Sequence, residues 1–504
     1  MEGVRQLVRT RAEHTPATVF LESARDGRVL TWSGLAAVTG AWAQRLVDAG
    51  VPTGGVVALQ QPDPLRFAAA YLAIIAAGRV VAPVDPAAGP SAARRHVDAV
   101  GAAAVVLADP RAAGAREARG AALVDDLGGV WAAVGRERGA PAPWRDRGGV
   151  LLASSGTTGP PKLVELTETQ LLHTAGGIAG HHRFTPADRG LSPLPLHHVN
   201  AQVVGLLTAL VARSGLVLDD RFHRTGFWDV VADRGVTWIN AVPAILAILA
   251  SHPPGRPPAG VRFARSASAP LPVATLAAFE AATGIMVVET YGMTEAGSQV
   301  TANPVDGGRR PGSVGRPVGV ELQVVDPAGL PVGPDVLGRV RIRGAGVITA
   351  YAGSTGQDAI GPDGWLDTGD LGRVDADGFV RLAGRRDDIV NRGGEKIFPG
   401  DVEEVLRADP DVTDVVVLGW PDAVLGAVPV AAVVAPPGLD AVGQEVLRAR
   451  LHGLADARLT RPQRPVAIHL VDTLPTGVNG KVTRRAVLDD LRARMDVPAR
   501  GEPG

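Results

Sequence analysis

The chain has 504 residues, 46% hydrophobic and 20% charged, a composition that excludes disorder and a length beyond one core, so two or more domains are expected. Its 51 basic and 52 acidic side chains leave a net charge of −1, and no basic field invites nucleic acid or an anionic membrane. Cysteine is absent, which excludes disulfides, thiolate metal sites and a cysteine nucleophile.

The first residues, MEGVRQLVRTRAEHTP, hold no apolar stretch of signal-peptide type. From there to about residue 145, amphipathic helices alternate with short apolar strands. LTWSGLAAVTGAWAQRLVDAG reads as a helix ending at a glycine, and VVALQ, GRVVAPVDP, AAAVVLAD and AALVDDL read as strands of an α/β layer. The run AAAYLAIIAA at 68–77 is about half the ~20 residues that cross a bilayer. It reads as a buried helix of a soluble, cytoplasmic protein with no membrane partner. The Pro/Gly-rich stretch at 135–149 is a connector, after which the rhythm resumes, as in FWDVVADRG and VTWINAV. Past about residue 312, short alternating strands with Gly and Asp turns take over (VELQVVD, GRVRIRG, GRVDADGFVRLAGR). The last hundred residues mix helices with strands as a smaller α+β unit. The Gly and charge cluster Gly384–Asp388 sets the expected division, 1–384 and 385–504.

Lysine occurs three times, at Lys162, Lys396 and Lys481, against 48 arginines. Where arginine has taken nearly every basic position, a remaining lysine marks a place where a compact ammonium serves and a planar fork does not. All three lie in glycine-containing segments, SSGTTGPPK, NRGGEK and VNGK.

The first of these follows an apolar strand. Its glycines let the backbone approach an anion, its hydroxyls and amides donate to phosphate oxygens, and Lys162 supplies a mobile charge. The Walker spacing is absent, which disfavours a P-loop kinase or GTPase. In VVETYGMTEAG (287–297), Tyr291 offers a face for a base and Glu295 a carboxylate suited to Mg2+. In GWLDTGD (364–370), Asp370 follows a glycine turn and can accept from both hydroxyls of a ribose. Together the three segments describe a site for a base, a ribose and a triphosphate.

The ordered set SSGTTGPPK, RSASAPLP, YGMTE, GWLDTGD, GRRDDIVNRGGEKI and LPTGVNGK resembles the adenylate-forming superfamily over essentially the whole chain. Within it, YGMTEAGSQVTANP and IVNRGGEKIFPGDVEEVL look most like AMP-forming acyl-CoA synthetases. The resemblance implies an α/β fold with a large N-terminal domain of layered sheets plus a small β-barrel, and a small mobile C-terminal α+β domain. It also implies ATP, Mg2+ and coenzyme A. A carboxylate attacks the α-phosphate to give acyl-AMP and pyrophosphate, and a thiol then displaces AMP. Ser155, Gly156, Thr157, Thr158, Gly159 and Lys162 would hold the phosphates. Ala267, Ser268, Ala269 and Tyr291 would line the adenine, with Glu289 accepting from its exocyclic amine, and Gly292 belongs to the same ATP-binding set. Glu295 would bind Mg2+, Thr294 would donate to the α-phosphate, and Asp370 and Arg385 would hold the ribose. Lys481 would lie between the acid and the α-phosphate during adenylation. In the family the small domain then rotates. Asp387 matches the hinge, and Gly393, Gly394 and Lys396 would shape the thiol tunnel.

PLHHVN (195–200) matches the family's Pro-x-aromatic-His segment, with His198 as the gating histidine and His197 replacing the aromatic. Asn200 and Ser298 stand where the oxalate branch is expected to carry histidines, which argues against oxalate. No acidic residue in the segment would hold an α-ammonium, which argues against an amino-acid substrate. The tail motif PTGVNGK also departs from the usual form with Arg and Thr. Val199, Asn200, Asn240, Val242 and Ser266, the acid-pocket candidates, are small or moderately apolar and suit an apolar monocarboxylic acid. Transfer of the acyl group to a carrier-protein phosphopantetheine or a partner enzyme remains the alternative to coenzyme A. A non-catalytic nucleotide-binding scaffold is a third reading. The oligomeric expectation is a monomer or homodimer.

Overall fold

The βα rhythm of the first three hundred residues resolves into two sheets. In the computed structural model, which describes residues 2–107, 122–124, 130–133, 148–154, 162–256, 258–352, 360–475 and 482–495, one sheet has nine strands. Its centre is parallel, running Val287–Tyr291, Phe263–Ser266, Trp238–Ala241, Arg189–Ser192, Gly215–Leu218 and Val19–Ser23 side by side. Short antiparallel strands close both edges. The second sheet has seven strands, with Ala104–Leu107, Val56–Gln60, Val80–Pro83 and Gly149–Ser154 parallel at its centre.

Parallel strands need cover on both faces, and the apolar run of the sequence supplies part of it. It lies in the helix Pro64–Ala76, in which every residue from Leu65 to Ile75 except Arg66 is buried and which packs against strands of both sheets. Pro64 stands in its first turn, and the Asp63 side chain accepts from the Arg66 amide at 3.1 Å, so its start is fixed by chemistry rather than by packing alone. The helix Glu168–His181 begins with a reciprocal cap between Thr167 and Gln170. Gln170 Nε2 donates to the Val347 carbonyl at 2.8 Å and Thr174 Oγ1 to that of Ala296 at 3.2 Å. These two bonds fasten the helix beneath the loops that follow Tyr291.

A four-stranded antiparallel sheet (Glu321–Val325, Gly338–Arg343, Leu366–Val374, Val380–Arg385) occupies the position expected of the small β unit. The chain changes sheet between Arg385 and Val390. Beyond it, Glu395–Ile397, Val390–Arg392, Gly426–Val434 and Asp414–Asp422 form a further sheet, with Ala467–Val471 parallel to Gly426–Val434. The helices Pro399–Leu406 and Ala441–Arg458 cover it over a core of its own that includes Val402, Leu406, Val417, Ala431 and Leu451. Arg484, at the start of the last helix, pairs with Asp388 at 2.8 Å and with Glu403 at 2.6 Å. This ties that helix to the turn holding Asp387, itself exposed. Among the described residues, no helix is long and apolar enough to cross a membrane.

Candidate active site

The carboxyl ends of the central parallel strands converge on one region, where ligands of open α/β sheets bind. Three clusters meet there. The first joins Lys162, Tyr351 and Glu295. Gly149–Ser154 and Lys162–Thr167 form an antiparallel pair with Ser154 opposite Lys162, and the turn between them, with Ser155, Gly156, Thr157, Thr158 and Gly159, lies outside the described residues. Lys162 Nζ is 4.8 Å from the centre of the Tyr351 ring, a cation–π distance. Tyr351 Oη donates to Glu295 Oε1 at 3.0 Å. Burial, reinforced by the Glu295 charge, pushes the Tyr351 hydroxyl above its ordinary value, so it stays a donor. Glu295 is buried on a single 3-10 turn, Thr294–Ala296, and is the hard carboxylate ligand that Mg2+ favours. Sequence reasoning missed Tyr351. The signal was present, because tyrosine occurs only three times in the chain.

The second cluster is Tyr291, Asp370 and Arg385. Tyr291 Oη donates to Asp370 Oδ2, which fixes the ring proposed to stack on a base. Asp370 lies opposite Arg385 in the ladder, and Arg385 Nη1 is 3.5 Å from Asp370 Oδ1. Burial pushes the Asp370 carboxyl up, while Arg385 and the Tyr291 bond oppose that shift. Two residues before Tyr291, Glu289 is buried and in register with Ser266 on the neighbouring strand. Burial pushes Glu289 up to about 8, against a bond from the Leu271 amide, so at neutral pH it is largely the neutral acid. Its Oε2 and the Ser266 Oγ are buried without a partner among the described residues. A neutral carboxyl offers a donor beside an acceptor, the pattern that pairs with an exocyclic amine next to a ring nitrogen. Ser266 therefore belongs with Glu289 and falls on the face opposite Asn240. Ala267 is buried, while Ser268 and Ala269 are exposed in the following turn, with Ser268 at φ +74°. A Cβ on Gly292 would lie 1.3 Å from the Ser298 carbonyl oxygen, so only glycine lets the chain fold back there.

The third cluster is polar, which corrects the apolar reading of the acid pocket. Asn240 Nδ2 donates to Asn200 Oδ1 at 2.9 Å and reaches Ser192 Oγ at 3.4 Å, and Asn200 Nδ2 reaches Ser268 Oγ at 3.5 Å. Asn200 and Asn240 are buried. Val199 and Val242 are half-buried at the rims of their loops. Asn200 leads directly into a seven-residue π-helix, Ala201–Leu207, a wide turn common at functional sites. His197 and His198 lie side by side, ring centres 4.2 Å apart, and burial pushes His197 down against an opposing pull from Asp85.

The remaining candidates stand apart in the second domain. Gly393 and Gly394, at φ +58° and +95°, form the two-residue tip of an exposed hairpin with Lys396 on its return strand. Both positive φ values are what such a tight turn requires. Lys481 lies outside the described residues.

Residues 8–352 match the AMP-binding enzyme family and residues 401–481 its C-terminal domain. The chain belongs to the AMP-binding enzyme family. This is the adenylate-forming superfamily that the motifs resemble. A sulfoacetate–CoA ligase of Cupriavidus necator is 36% identical over 96% of this chain and 97% of that protein. An oxalate–CoA ligase of Arabidopsis thaliana is 33% identical over 88% of this chain and 90% of its own. The ATP-bound structure of MatB from Rhodopseudomonas palustris superposes with a TM-score of 0.81 at 27% identity, covering 97% of this chain and 99% of that one. MenE from Bacillus subtilis, bound to its acyl-adenylate, gives 0.81 at 25% identity over 99% of each. Relatives matching almost end to end are CoA ligases, and this AMP-binding enzyme is of that class. The relatives' names carry polar and aromatic acids, a second reason to set aside the apolar monocarboxylic preference.

Proposed function

We propose that the enzyme activates a short polar carboxylic acid with Mg·ATP and transfers the acyl group to coenzyme A. The observation that carries this reading is the convergence of Glu295–Tyr351–Lys162, Tyr291–Asp370–Arg385 and Asn200–Asn240 at one end of the parallel sheet. They supply in turn a phosphate and metal end, a ribose and base end, and a polar acid end.

ATP binds with its base between the Tyr291 ring and the Ala267–Ala269 turn, Glu289 reading the base edge and Asp370 accepting from the ribose hydroxyls. Arg385 opposes the upward push of burial on Asp370 and so favours its ionised form for that task. Glu295 is the ligand for Mg2+, which neutralises phosphate charge when bound, and Tyr351 orients that carboxylate. Ser155 to Gly159 and Lys162 hold the outer phosphates, and Thr294 donates to the α-phosphate. A carboxylate oxygen of the acid attacks the α-phosphorus in line, the bond to the pyrophosphate oxygen breaks, and Lys481 neutralises charge on both reacting groups. In the second half-reaction the unit beginning at 385 turns about Asp387. Gly393, Gly394 and Lys396 then reach the coenzyme, whose thiolate takes the acyl group and releases AMP. His198 gates the acid pocket between the steps.

ATP–pyrophosphate exchange tests the first half-reaction. With malonate, sulfoacetate and propionate offered separately, exchange is expected with at least one acid and to need Mg2+. No exchange with any short acid would contradict the reading.

A further inference from the structure

The largest charged side chain in the interior belongs to none of the three clusters. Arg265, on the strand Phe263–Ser266, is 1% exposed. Arg265 Nη2 donates to Gln299 Oε1 at 3.0 Å. Its Nε and Nη1 are buried with no hydrogen-bond partner among the described residues, and so is Gln299 Nε2. Among the described residues, no carboxylate pairs with it. Burial alone lowers Arg265 to about 9, and burial first, with the Arg265 charge second, pushes its neighbours His181 and His182 down. Arg265 thus remains a cation at neutral pH without an anion supplied by the described residues, an arrangement that is costly unless something else completes it.

Its place in the fold says what could. Arg265 is in register with Asn240 on the adjacent parallel strand, so the two side chains share a face. Asn240 is bonded to Asn200 in the acid pocket. Gln299 follows Glu295 by four residues in the turn over the same strand ends. The free atoms are three N–H donors on the Arg265–Gln299 side, whereas the free atom of Asn240 is a carbonyl oxygen, Oδ1. An anion is repelled by the latter and drawn to the former. Nη2 spends one of its two N–H bonds on Gln299, which leaves the other to fork with a neighbouring N–H of Nε or Nη1, the pattern that fits two oxygens of a carboxylate or sulfonate.

We propose that Arg265, seconded by Gln299, is the specificity residue that receives a second anionic group, a carboxylate or sulfonate, at the far end of a short acid. This rests on the acid–CoA ligase reading and deepens it. The cation that Asn200 and Ser298 do not provide for a dianionic acid comes instead from the strand beside them. Such a substrate keeps one carboxylate for adenylation and leaves the other group as a charged tail on the thioester.

The test compares matched acids in the full-length enzyme. The pyrophosphate-release rate is measured with malonate, sulfoacetate and propionate, for the wild type and for Arg265→Met, Arg265→Lys and Gln299→Leu, with thermal unfolding and ATP binding followed on each. Wild-type kcat/KM is expected to favour malonate or sulfoacetate over propionate by about a hundredfold, as loss of a charge-assisted bond pair implies. Arg265→Met should lower that ratio about a hundredfold, mainly through KM, and Arg265→Lys should restore part of it. If the methionine variant does not fold, Gln299→Leu and the lysine variant carry the same ratio test. A wild-type preference for propionate would overturn the proposal and leave the ligase reading standing. So would a ratio that the Arg265 and Gln299 variants do not change. Absence of pyrophosphate release with every acid, in enzyme that binds ATP, would overturn the ligase reading and the proposal together.

Discussion

The strand ends of the large domain and the hairpin of the small one both carry glycine-rich signatures, and the glycines do different work. At Gly292 the conflict is steric. A Cβ would lie 1.3 Å from the Ser298 carbonyl oxygen, because the chain folds back on itself to present Thr294 and Glu295. At Gly394 nothing lies within 4 Å of the same atom, and glycine is there for its φ of +95°. The first region is a buried, cross-braced socket in which Tyr291, Asp370, Tyr351 and Glu295 hold one another. The second is an exposed tip that matters only if it is carried to the socket. Glycine in the socket makes room, whereas glycine in the hairpin makes a turn.

The comparison can be broken first at the lysine proposed to be carried to the socket. Lys481→Ala should lower acyl-adenylate formation on the order of 10²–10³-fold while ATP binding by the socket survives. Equal loss of ATP binding, read by equilibrium dialysis, would place Lys481 in the socket instead. The two glycines come next. Gly292→Ala should destabilise by about 3 kcal/mol or more, since backbone must shift, whereas Gly394→Ala should cost only about 1 kcal/mol, the strain of a side chain at positive φ. Denaturant unfolding of both variants gives the order directly.

Glu289 sharpens the comparison through pH. Its folded value of about 8 stands above its ordinary 4.5, so between those limits the folded protein binds more protons than the unfolded one. The stability tied to neutral Glu289 is therefore complete below about pH 4.5 and lost as pH rises toward about 8. Glu289→Gln should remove that slope, and should gain on the wild type by about 1–3 kcal/mol between pH 5 and pH 8.5. Parallel stability curves for the two proteins would contradict the burial argument. The smallest effect is expected at Tyr351→Phe. Loss of one hydrogen bond to Glu295 should raise the KM for Mg·ATP about tenfold with little change in unfolding temperature.

Much of this was legible in contiguous stretches. SSGTTGPPK, YGMTE and GWLDTGD point to the proposed ATP-binding end because each motif carries its chemistry within a few residues, and the alternation of helix and strand gave the fold class. The chain order of strands suggests that Phe263–Ser266 lies between Trp238–Ala241 and Val287–Tyr291, but it gives no sign of the register that sets Arg265 beside Asn240 on one face. The apolar reading of the acid pocket failed for the same reason. Asn200 and Asn240 are 40 positions apart, and residue size was visible where their hydrogen bond was not. Tyr351 meets Glu295 across 56 positions, through the bridge that pairs Leu163 with Ala352. Arg265 was hidden by company, one arginine among 48, until burial without a counter-charge set it apart.

The central claim is that this chain makes a thioester of a short polar acid at the expense of ATP cleaved to AMP. Mass spectrometry of the full-length protein with Mg·ATP and malonate, sulfoacetate or propionate, with and without coenzyme A, tests it most directly. The account expects AMP and an acyl-CoA when coenzyme A is present, and enzyme-bound acyl-AMP when it is withheld. Acyl-AMP that persists unchanged in the presence of coenzyme A, or ADP in place of AMP, would contradict it.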